Sequence, residues 1–194
     1  LRNGRLRPVL VEMPWDVLDE ETDAASQYRP VPVTRCAPDS ADIHKAAQML
    51  VQAESPVIYA GQGVHWAEAY GELQALAERL AAPVCTSLEG KSAFNEKHPL
   101  ALGAGGAATP GQLRRFLDQA DVILGIGCSF SETAFGVRMP TGKRVIHATL
   151  DPADFNKSIM CEMALAGDAK LTLAMIDTAC AGLMKETRDI EPAG

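Results

Sequence analysis

The feature that most constrains the fold is a pattern that occurs twice, over residues 56–90 and 119–151. In each stretch an apolar strand runs directly into a glycine-bearing loop, and a second apolar strand follows further along. The first loop carries Gly61 and Gly63, and the second begins at Gly127. Strands that alternate with helices in this way are typical of a parallel sheet built through right-handed crossovers. Domains of this kind bind ligands at the carboxyl ends of their strands.

The alternation extends from Asp39 nearly to the end of the chain. Asp39 or Ser40 is predicted to cap a first helix, because apolar residues recur at helical spacing after it. Asp168 is predicted to cap the last helix. Further helices are predicted over about 65–81, 110–119 and 169–185, and strands over 57–60, 84–88, 121–126, 144–149 and 163–166, with an irregular stretch over 89–108. The predicted fold is α/β, a doubly wound, mainly parallel, Rossmann-like sheet of about six strands.

The first 38 residues differ from the rest. Residues 9–13 read as a buried strand that belongs to something mostly outside this chain, because one strand and its exit cannot form a domain. Residues 14–38 read as a linker, since the prolines of its second half favour extended backbone and exclude helix. The predicted organisation is a residual domain end over 1–13, a linker over 14–38, a Rossmann-like domain over 39–186 and a tail over 187–194.

Composition excludes several classes of function. The 194 residues fit one domain with an appended piece, and the net charge of −7 comes without a basic run, which argues against nucleic acid. The longest apolar stretch is too short to cross a membrane, and no signal peptide is recognisable. The five cysteines are irregularly spaced and form no CxxC, which predicts reduced thiols and a cytoplasmic protein. Cys85 and Cys128 are expected to act as small core residues.

Residues 61–63 give only the first half of a dinucleotide fingerprint. Trp66 occupies the third position, where that motif needs a small residue. Two interpretations stay open: the glycines admit a phosphate to backbone N–H groups, or they only form a tight turn. An independent NAD- or adenine-nucleotide-binding domain is therefore the alternative hypothesis, with Glu89 placed to meet a ribose. Trp66 itself is expected to pack on the sheet, and to be a contact residue if it is exposed.

No catalytic or metal-binding group can be assigned. The four histidines are scattered, so we predict no metal site. His147 lies in an apolar strand and is predicted to be a hydrogen-bonded core or rim residue. Ser129 and its neighbours lack the closing glycine of a nucleophile elbow.

Several motifs taken together resemble one enzyme family. They are PVIYAGQG at 56–63, PVCTSLEG at 83–90, FNEKHPL at 94–100, ADVILGIG at 120–127, VIH at 145–147, LDPA at 150–153 and GD at 167–168. In order and spacing they resemble the central domain of thiamine diphosphate-dependent enzymes of the acetolactate synthase and benzoylformate decarboxylase type. Residues 9–21 resemble the end of the pyrimidine-binding domain of that family.

The resemblance implies that the parent protein is a decarboxylase or carboligase acting on a 2-keto acid. In such proteins thiamine diphosphate and Mg²⁺ are held by flanking pyrimidine- and diphosphate-binding domains, and the molecules are homodimers or homotetramers. The central domain then serves as scaffold and interface, and this chain alone is expected to be inactive.

The family's central domain binds FAD in some members and ADP or nothing in others. Residues 127–133 read GCSFSET here and lack the arginines and the first aspartate found in FAD-binding members. Losing guanidinium groups removes natural partners of a diphosphate, which disfavours FAD. A nucleotide pocket and a vestigial pocket both stay open. The residues that would line a nucleotide are Gly61, Gln62, Gly63, Thr86, Ser87, Leu88, Gly127, Ser129, Thr149, Leu150 and Asp168.

Overall fold

The computed structural model describes residues 3–21 and 27–190. The chain divides into two compact units, Leu1–Arg35 and Cys36–Gly194. The first unit contains one short helix, α1, over Trp15–Leu18. The side chain of Asn3 accepts a hydrogen bond from the Thr34 N–H at 2.7 Å and donates one to the Pro32 carbonyl at 3.0 Å.

The prediction of a buried strand over residues 9–13 is wrong. These residues are exposed and have no strand assignment, and no described part of this unit pairs with them. An apolar run becomes a strand only when a neighbouring strand satisfies its N–H and C=O groups. The apolar pattern alone is therefore not enough to form a strand here. The division into a residual domain end, linker, central domain and tail stays a prediction.

The second unit is built on a six-stranded sheet in which every neighbouring pair is parallel. The strand order is β3-β2-β1-β4-β5-β6, which is the order of a doubly wound sheet. All strands are parallel, and the direction in which the chain adds new strands reverses between β1 and β4. This confirms the predicted fold class. The strands are β1 Pro56–Ala60, β2 Val84–Thr86, β3 Ala101–Ala104, β4 Val122–Ile126, β5 Arg144–Thr149 and β6 Met163–Ala166.

The helices of this unit cover both faces of the sheet. They are α2 Ser40–Gln52, α3 Gly63–Ala67, α4 Tyr70–Leu80, α5 Gly111–Gln119 and α6 Ala169–Leu183, with one 3₁₀ turn at Pro152–Asp154. The predicted caps are confirmed. The Asp39 carboxylate accepts from the Ala41 N–H, and the Asp168 carboxylate accepts from the N–H groups of Lys170 and Leu171.

Two buried apolar clusters lie on opposite sides of the sheet. The larger joins residues of α2, α3, α4 and α6 to strand residues such as Ile58 and Leu124. The smaller joins α5 to strand neighbours such as Val57 and Ile123. Strands β1 and β4 are buried along their whole length, which explains why they are continuous apolar runs rather than alternating ones.

Four details differ from the sequence expectations. The helix predicted over 65–81 is two helices, because Glu68 adopts a left-handed conformation with φ of 52° and ends α3. Trp66 is 43% exposed, so the expectation that it packs on the sheet is wrong. The stretch expected to be irregular contains β3, and β2 ends at Thr86 instead of residue 88.

Across residues 3–21 and 27–190, every helix is too short or too polar to cross a lipid bilayer.

Candidate functional site

The two glycine loops meet at the carboxyl end of the sheet, where they pack directly on each other. The Gly61 N–H donates to the Ile126 carbonyl at 2.9 Å, and the Gly63 N–H donates to the Gly127 carbonyl at 2.8 Å. The Gly127 N–H in turn donates to the Ala148 carbonyl at 2.9 Å. A continuous set of backbone bonds therefore ties the ends of β1, β4 and β5 together.

The absence of side chains at these glycines is a packing requirement. A Cβ on Gly61 would lie 2.6 Å from the Cα of Cys128, and a Cβ on Gly63 would lie 2.7 Å from the Cα of Gly127. Gly127 has a φ of 61°, which also favours glycine. The space that glycine opens here is filled by the chain's own backbone.

The N–H groups at the start of α3 already have acceptors within the chain. The Val64 N–H donates to the Gly61 carbonyl, and the N–H groups of His65 and Trp66 donate to the Gln62 carbonyl. A phosphate cradle needs N–H groups that are free to face the anion. The N–H groups from Gly63 to Trp66 are thus already engaged, and α3 is only five residues long.

The predicted residues after β2 have different surroundings. The Thr86 side chain is buried, and its Oγ1 is one of two buried side-chain atoms in the described part of the chain without a hydrogen-bond partner. Thr86 is one of the residues that line a small pocket, together with Phe94 and Glu96. The Ser87 Oγ accepts from the Gly90 N–H at 3.0 Å, while Leu88 is exposed.

The predicted site residues that follow the other strands mostly form hydrogen bonds between their side chains and nearby backbone N–H groups. The Ser129 Oγ accepts from the Ser131 N–H at 3.3 Å, and the Thr149 Oγ1 accepts from the Asp151 N–H at 3.3 Å. The Asp168 carboxylate is used as the cap of α6. Leu150 follows Thr149 and is partly buried. The structure thus brings Gly61, Gly63 and Gly127 into contact and places the other candidates along the same edge.

A buried polar group that the motif search did not single out as a site residue lies beside this edge. His147, in β5, is fully buried, which confirms that it is a core residue. Its Nε2 is 2.9 Å from the Cys128 carbonyl oxygen, and burial lowers its pKa although that bond and Asp154 oppose the shift. A histidine inside an apolar strand is the available signal, but its hydrogen-bond partner and ring neighbours lie in the segments that follow β4 and β5.

The thiols of the site are unreactive by environment. Burial raises the pKa of the Cys85 thiol to about 12, and burial also raises that of Cys128. Both residues belong to the smaller apolar cluster, which confirms the prediction that they act as core residues. Within the described ranges, no three His, Cys, Asp or Glu side chains are grouped so that they could hold a metal ion.

The fold and this edge define an α/β domain of the Rossmann-like class. Residues 43–176 match the family model of the thiamine pyrophosphate enzyme central domain. The chain belongs to this family of central domains.

Among curated proteins, the chain is 37% identical over 197 residues to the probable acetolactate synthase large subunit of Methanocaldococcus jannaschii, covering 97% of this chain and 33% of that protein. It is 33% identical over 180 residues to the glyoxylate carboligase of Escherichia coli O157:H7, covering 91% and 30%. It is also 37% identical over 195 residues to a probable 2-ketoarginine decarboxylase of Pseudomonas aeruginosa, covering 97% and 33%. The chain spans about a third of the length of these relatives.

Among solved structures, the benzoylformate decarboxylase from Polynucleobacter necessarius superposes with a TM-score of 0.72 at 24% identity. The match covers 93% of this chain and 33% of that one. At this identity the likeness establishes the fold.

Proposed function

We propose that this chain is the non-catalytic central domain of a thiamine diphosphate-dependent enzyme that cleaves or forms a carbon–carbon bond beside a 2-keto acid carbonyl. The family match over residues 43–176 is the observation that carries the proposal. Relatives named as a synthase, a carboligase and a decarboxylase support this reaction class. Because the chain spans about a third of their length, the remaining parts of such an enzyme belong to flanking domains.

Thiamine diphosphate, with Mg²⁺, would be bound by those flanking domains. When bound, the cofactor supplies the stabilisation of the carbanion, and the protein supplies its binding and orientation. The residues of this chain do not fit that role, because its described part offers no cluster of metal ligands. No catalytic step is therefore assigned to any of its side chains.

The role of this domain is to be a scaffold with a vestigial nucleotide pocket. The contacts among Gly61, Gly63 and Gly127 support this, because they use the N–H groups and the space that a diphosphate would need. The side chains of Ser87, Ser129 and Asp168 likewise bond to neighbouring backbone. A domain arranged in this way can position its neighbours without a ligand.

The catalytic half of the proposal is tested by an activity assay on the chain alone. With thiamine diphosphate, Mg²⁺ and either pyruvate or benzoylformate, we expect no release of carbon dioxide above the enzyme-free rate. A complete acetolactate synthase under the same conditions is the positive control. Turnover by the isolated chain would contradict the proposal.

The pocket half is tested by thermal unfolding with FAD, ADP, coenzyme A and NADH added separately. A ligand that binds only the folded state raises Tm as its concentration exceeds Kd. We expect no rise with any of the four. A rise with ADP or FAD would show a working nucleotide pocket, and a rise with NADH would favour the independent dinucleotide-binding domain.

We further propose that the end of α3 and the start of α4 contribute to contacts between subunits in a homodimer or homotetramer. Trp66 and Tyr70 are 43% and 45% exposed and lie close together in the sequence, and large exposed aromatic side chains are enriched at interfaces. In the complete enzyme, Trp66→Ser should weaken association in light scattering at decreasing concentration. Lys45→Ser, an exposed polar change on α2, should leave the assembly intact, because lysine is depleted at interfaces. An unchanged Trp66→Ser assembly would contradict this proposal.

A further inference from the structure

One buried ionisable group has no part in the scaffold role described above. The His147 side chain is fully buried in the middle of the sheet. Its Nε2 lies 2.9 Å from the Cys128 carbonyl oxygen, so Nε2 carries the proton and donates it. Its Nδ1 is buried without a hydrogen-bond partner among the described residues. The neutral ring is therefore held by one bond, and its second nitrogen is left as an unused acceptor.

The ring is enclosed by two phenylalanines. Phe130 meets it edge-on at a centroid distance of 4.8 Å, and Phe155 does so at 5.2 Å. Phe130 also stacks on Tyr59 at 5.6 Å, and its ring occupies the space above Gly125. These contacts seal His147 from water and join it to the loop over residues 127–131.

That 127–131 loop is held in a strained conformation. Phe130 has a φ of 47°, a left-handed value that is uncommon for a bulky residue. Such a conformation persists only when surrounding contacts impose it. Here the imposing contacts are the stack on Tyr59, the edge of the His147 ring and the hydrogen bond from that ring to Cys128. Loss of the contacts to His147 would leave the loop free to relax.

The titratable groups facing His147 come from three directions. Cys128 lies on the 127–131 loop, Tyr59 lies beyond Phe130 on β1, and Asp154 lies in the 3₁₀ turn after β5. The Asp154 carboxylate favours a charged ring, as does the bond to the Cys128 carbonyl, but burial outweighs both and lowers the His147 pKa. The thiol of Cys128 is neutral, since burial raises its pKa.

We propose that His147 is an acid-sensitive latch on the carboxyl edge of the sheet: its neutral ring holds the 127–131 loop closed, and its protonation releases that loop. A proton added to Nδ1 would place a cation where no hydrogen-bond acceptor meets it. Release of the loop also breaks the bond between the Gly63 N–H and the Gly127 carbonyl, so both glycine loops separate. This regulatory device goes beyond the proposed scaffold function.

The direction of the pH effect follows from the lowered pKa. The opened loop exposes an imidazole with the ordinary pKa of about 6.5. The open form therefore binds a proton more tightly than the closed form does. The closed form is favoured above that pH, and its population decreases as the pH falls below that value. Between pH 7.5 and 5.5 the equilibrium constant for opening should rise, by up to about tenfold.

The test is hydrogen exchange by NMR on the whole chain. Protection of the Gly63 and Gly127 amides, corrected for intrinsic exchange, should fall, by up to about tenfold, between pH 7.5 and 5.5. These amides should exchange faster than that of Leu124 in the buried strand β4. Nitrogen-15 shifts of the His147 ring should show that it becomes charged at a lower pH than an exposed histidine does.

Two variants separate the latch from general acid sensitivity. His147→Gln keeps a donor toward the Cys128 carbonyl but cannot become charged, so its loop protection should not change with pH. His44→Gln, at an exposed position of α2 where the ring lies within hydrogen-bond distance of Gln48, should respond as the wild type does.

Three results would overturn the proposal. One is a His147 ring that becomes charged while the loop amides stay protected, which would mean that Asp154 accommodates the cation. Another is an unchanged pH response in His147→Gln, and the third is exchange of the loop amides only at the rate of Leu124. If His147→Gln does not fold, the ring shifts and amide rates of the wild type decide the question.

Discussion

At the scale of single residues, Gly61 shows how a missing side chain can determine a structure. Its N–H bonds to the Ile126 carbonyl, and a Cβ at this position would lie 2.6 Å from the Cα of Cys128. Backbone atoms cannot move aside as the end of a flexible side chain can. The glycine therefore sets the distance at which the ends of β1 and β4 approach each other.

Gly61→Ala is predicted to destabilise the fold by about 1–3 kcal/mol, since the added methyl group forces two loops apart. Urea unfolding followed by circular dichroism measures the change. Gly71→Ala is the matched control, because Gly71 is exposed in α4 with no atom within 4 Å of a new Cβ. That control should be neutral or stabilising by up to about 1 kcal/mol. Equal midpoints for the two variants would show that the loops do not pack as described.

A carboxylate at the opposite end of the sheet, that of Asp121, also stabilises the fold through local hydrogen bonds. Asp121 precedes β4, and its Oδ2 and Oδ1 accept from the N–H groups of Glu54 and Ser55 at 2.8 and 2.9 Å. Burial opposes the charge, but these bonds and those from its own strand outweigh it and lower the pKa of Asp121. The side chain thus closes the turn between α2 and β1.

The stabilisation from Asp121 should be present above its unfolded pKa of about 4 and should be lost as pH falls through the lower folded value. Asp121→Asn retains one acceptor oxygen for two N–H groups, so we expect a loss of about 1–3 kcal/mol at pH 7. Its stability should also depend less on pH below about 4. Asp118→Asn, which breaks an exposed pair with Arg114 in α5, should cost no more than about 0.5 kcal/mol. Parallel unfolding curves at pH 7 and 3 distinguish the two.

The glycines are recognisable in the sequence, but the contacts that they make are not. Repeated glycines after apolar strands predicted a turn at the carboxyl edge, and that much follows from local sequence. The bond from Gly63 to Gly127 joins residues 64 positions apart, and no local pattern encodes it. His147 is a similar case, because its partners Cys128 and Phe155 come from different segments.

At the scale of elements, long periodic segments were predictable and short ones were not. Helices α2 and α6 begin at the aspartates that were predicted to cap them. The break between α3 and α4 was missed because Glu68 reaches a left-handed conformation that its residue type does not suggest. Strand β3 was missed because four small or apolar residues beside β2 become a strand only through pairing with it.

Arg188 bonds to residues of the predicted central domain, although it lies beyond the predicted boundary of that domain at residue 186. The Arg188 guanidinium donates from Nη2 to the carbonyls of Val51 and Ala53, both at 2.7 Å, and the Arg188 N–H donates to the Arg79 carbonyl at 3.2 Å. A cation at the end of α2 also complements the helix dipole. This segment therefore fastens α2 to α4.

Arg188→Ala is predicted to cost about 1.5–3 kcal/mol, because two carbonyl groups lose a charged donor. Shortening the chain after Glu186 should cost at least as much. Lys185→Ala, at an exposed neighbouring position, should stay within about 0.5 kcal/mol of the wild type. Chemical unfolding measures all three. A shortened chain as stable as the original would support the boundary at 186 and contradict the fastening role.

At the scale of the whole molecule, the two apolar clusters share one sheet. The larger cluster contains Cys180 of α6, and the smaller contains Cys85 of β2. Strands β1 to β5 contribute side chains to both clusters, so loss of packing on one face removes support from the other. We therefore expect the Cys36–Gly194 unit to unfold as one cooperative body.

The thiols allow this expectation to be measured. Burial raises the pKa of both Cys85 and Cys180 to about 12, whereas Cys36 is exposed. A thiol reagent at pH 7.5 should modify Cys36 at once, and Cys36→Ser should remove that fast reaction. Cys85 and Cys180 should react only through unfolding, with the same free energy of opening as urea increases, because the sheet between them is lost in a single step. If Cys180 becomes reactive at markedly lower urea than Cys85, then α6 and its face separate first, and the sheet does not couple its two sides.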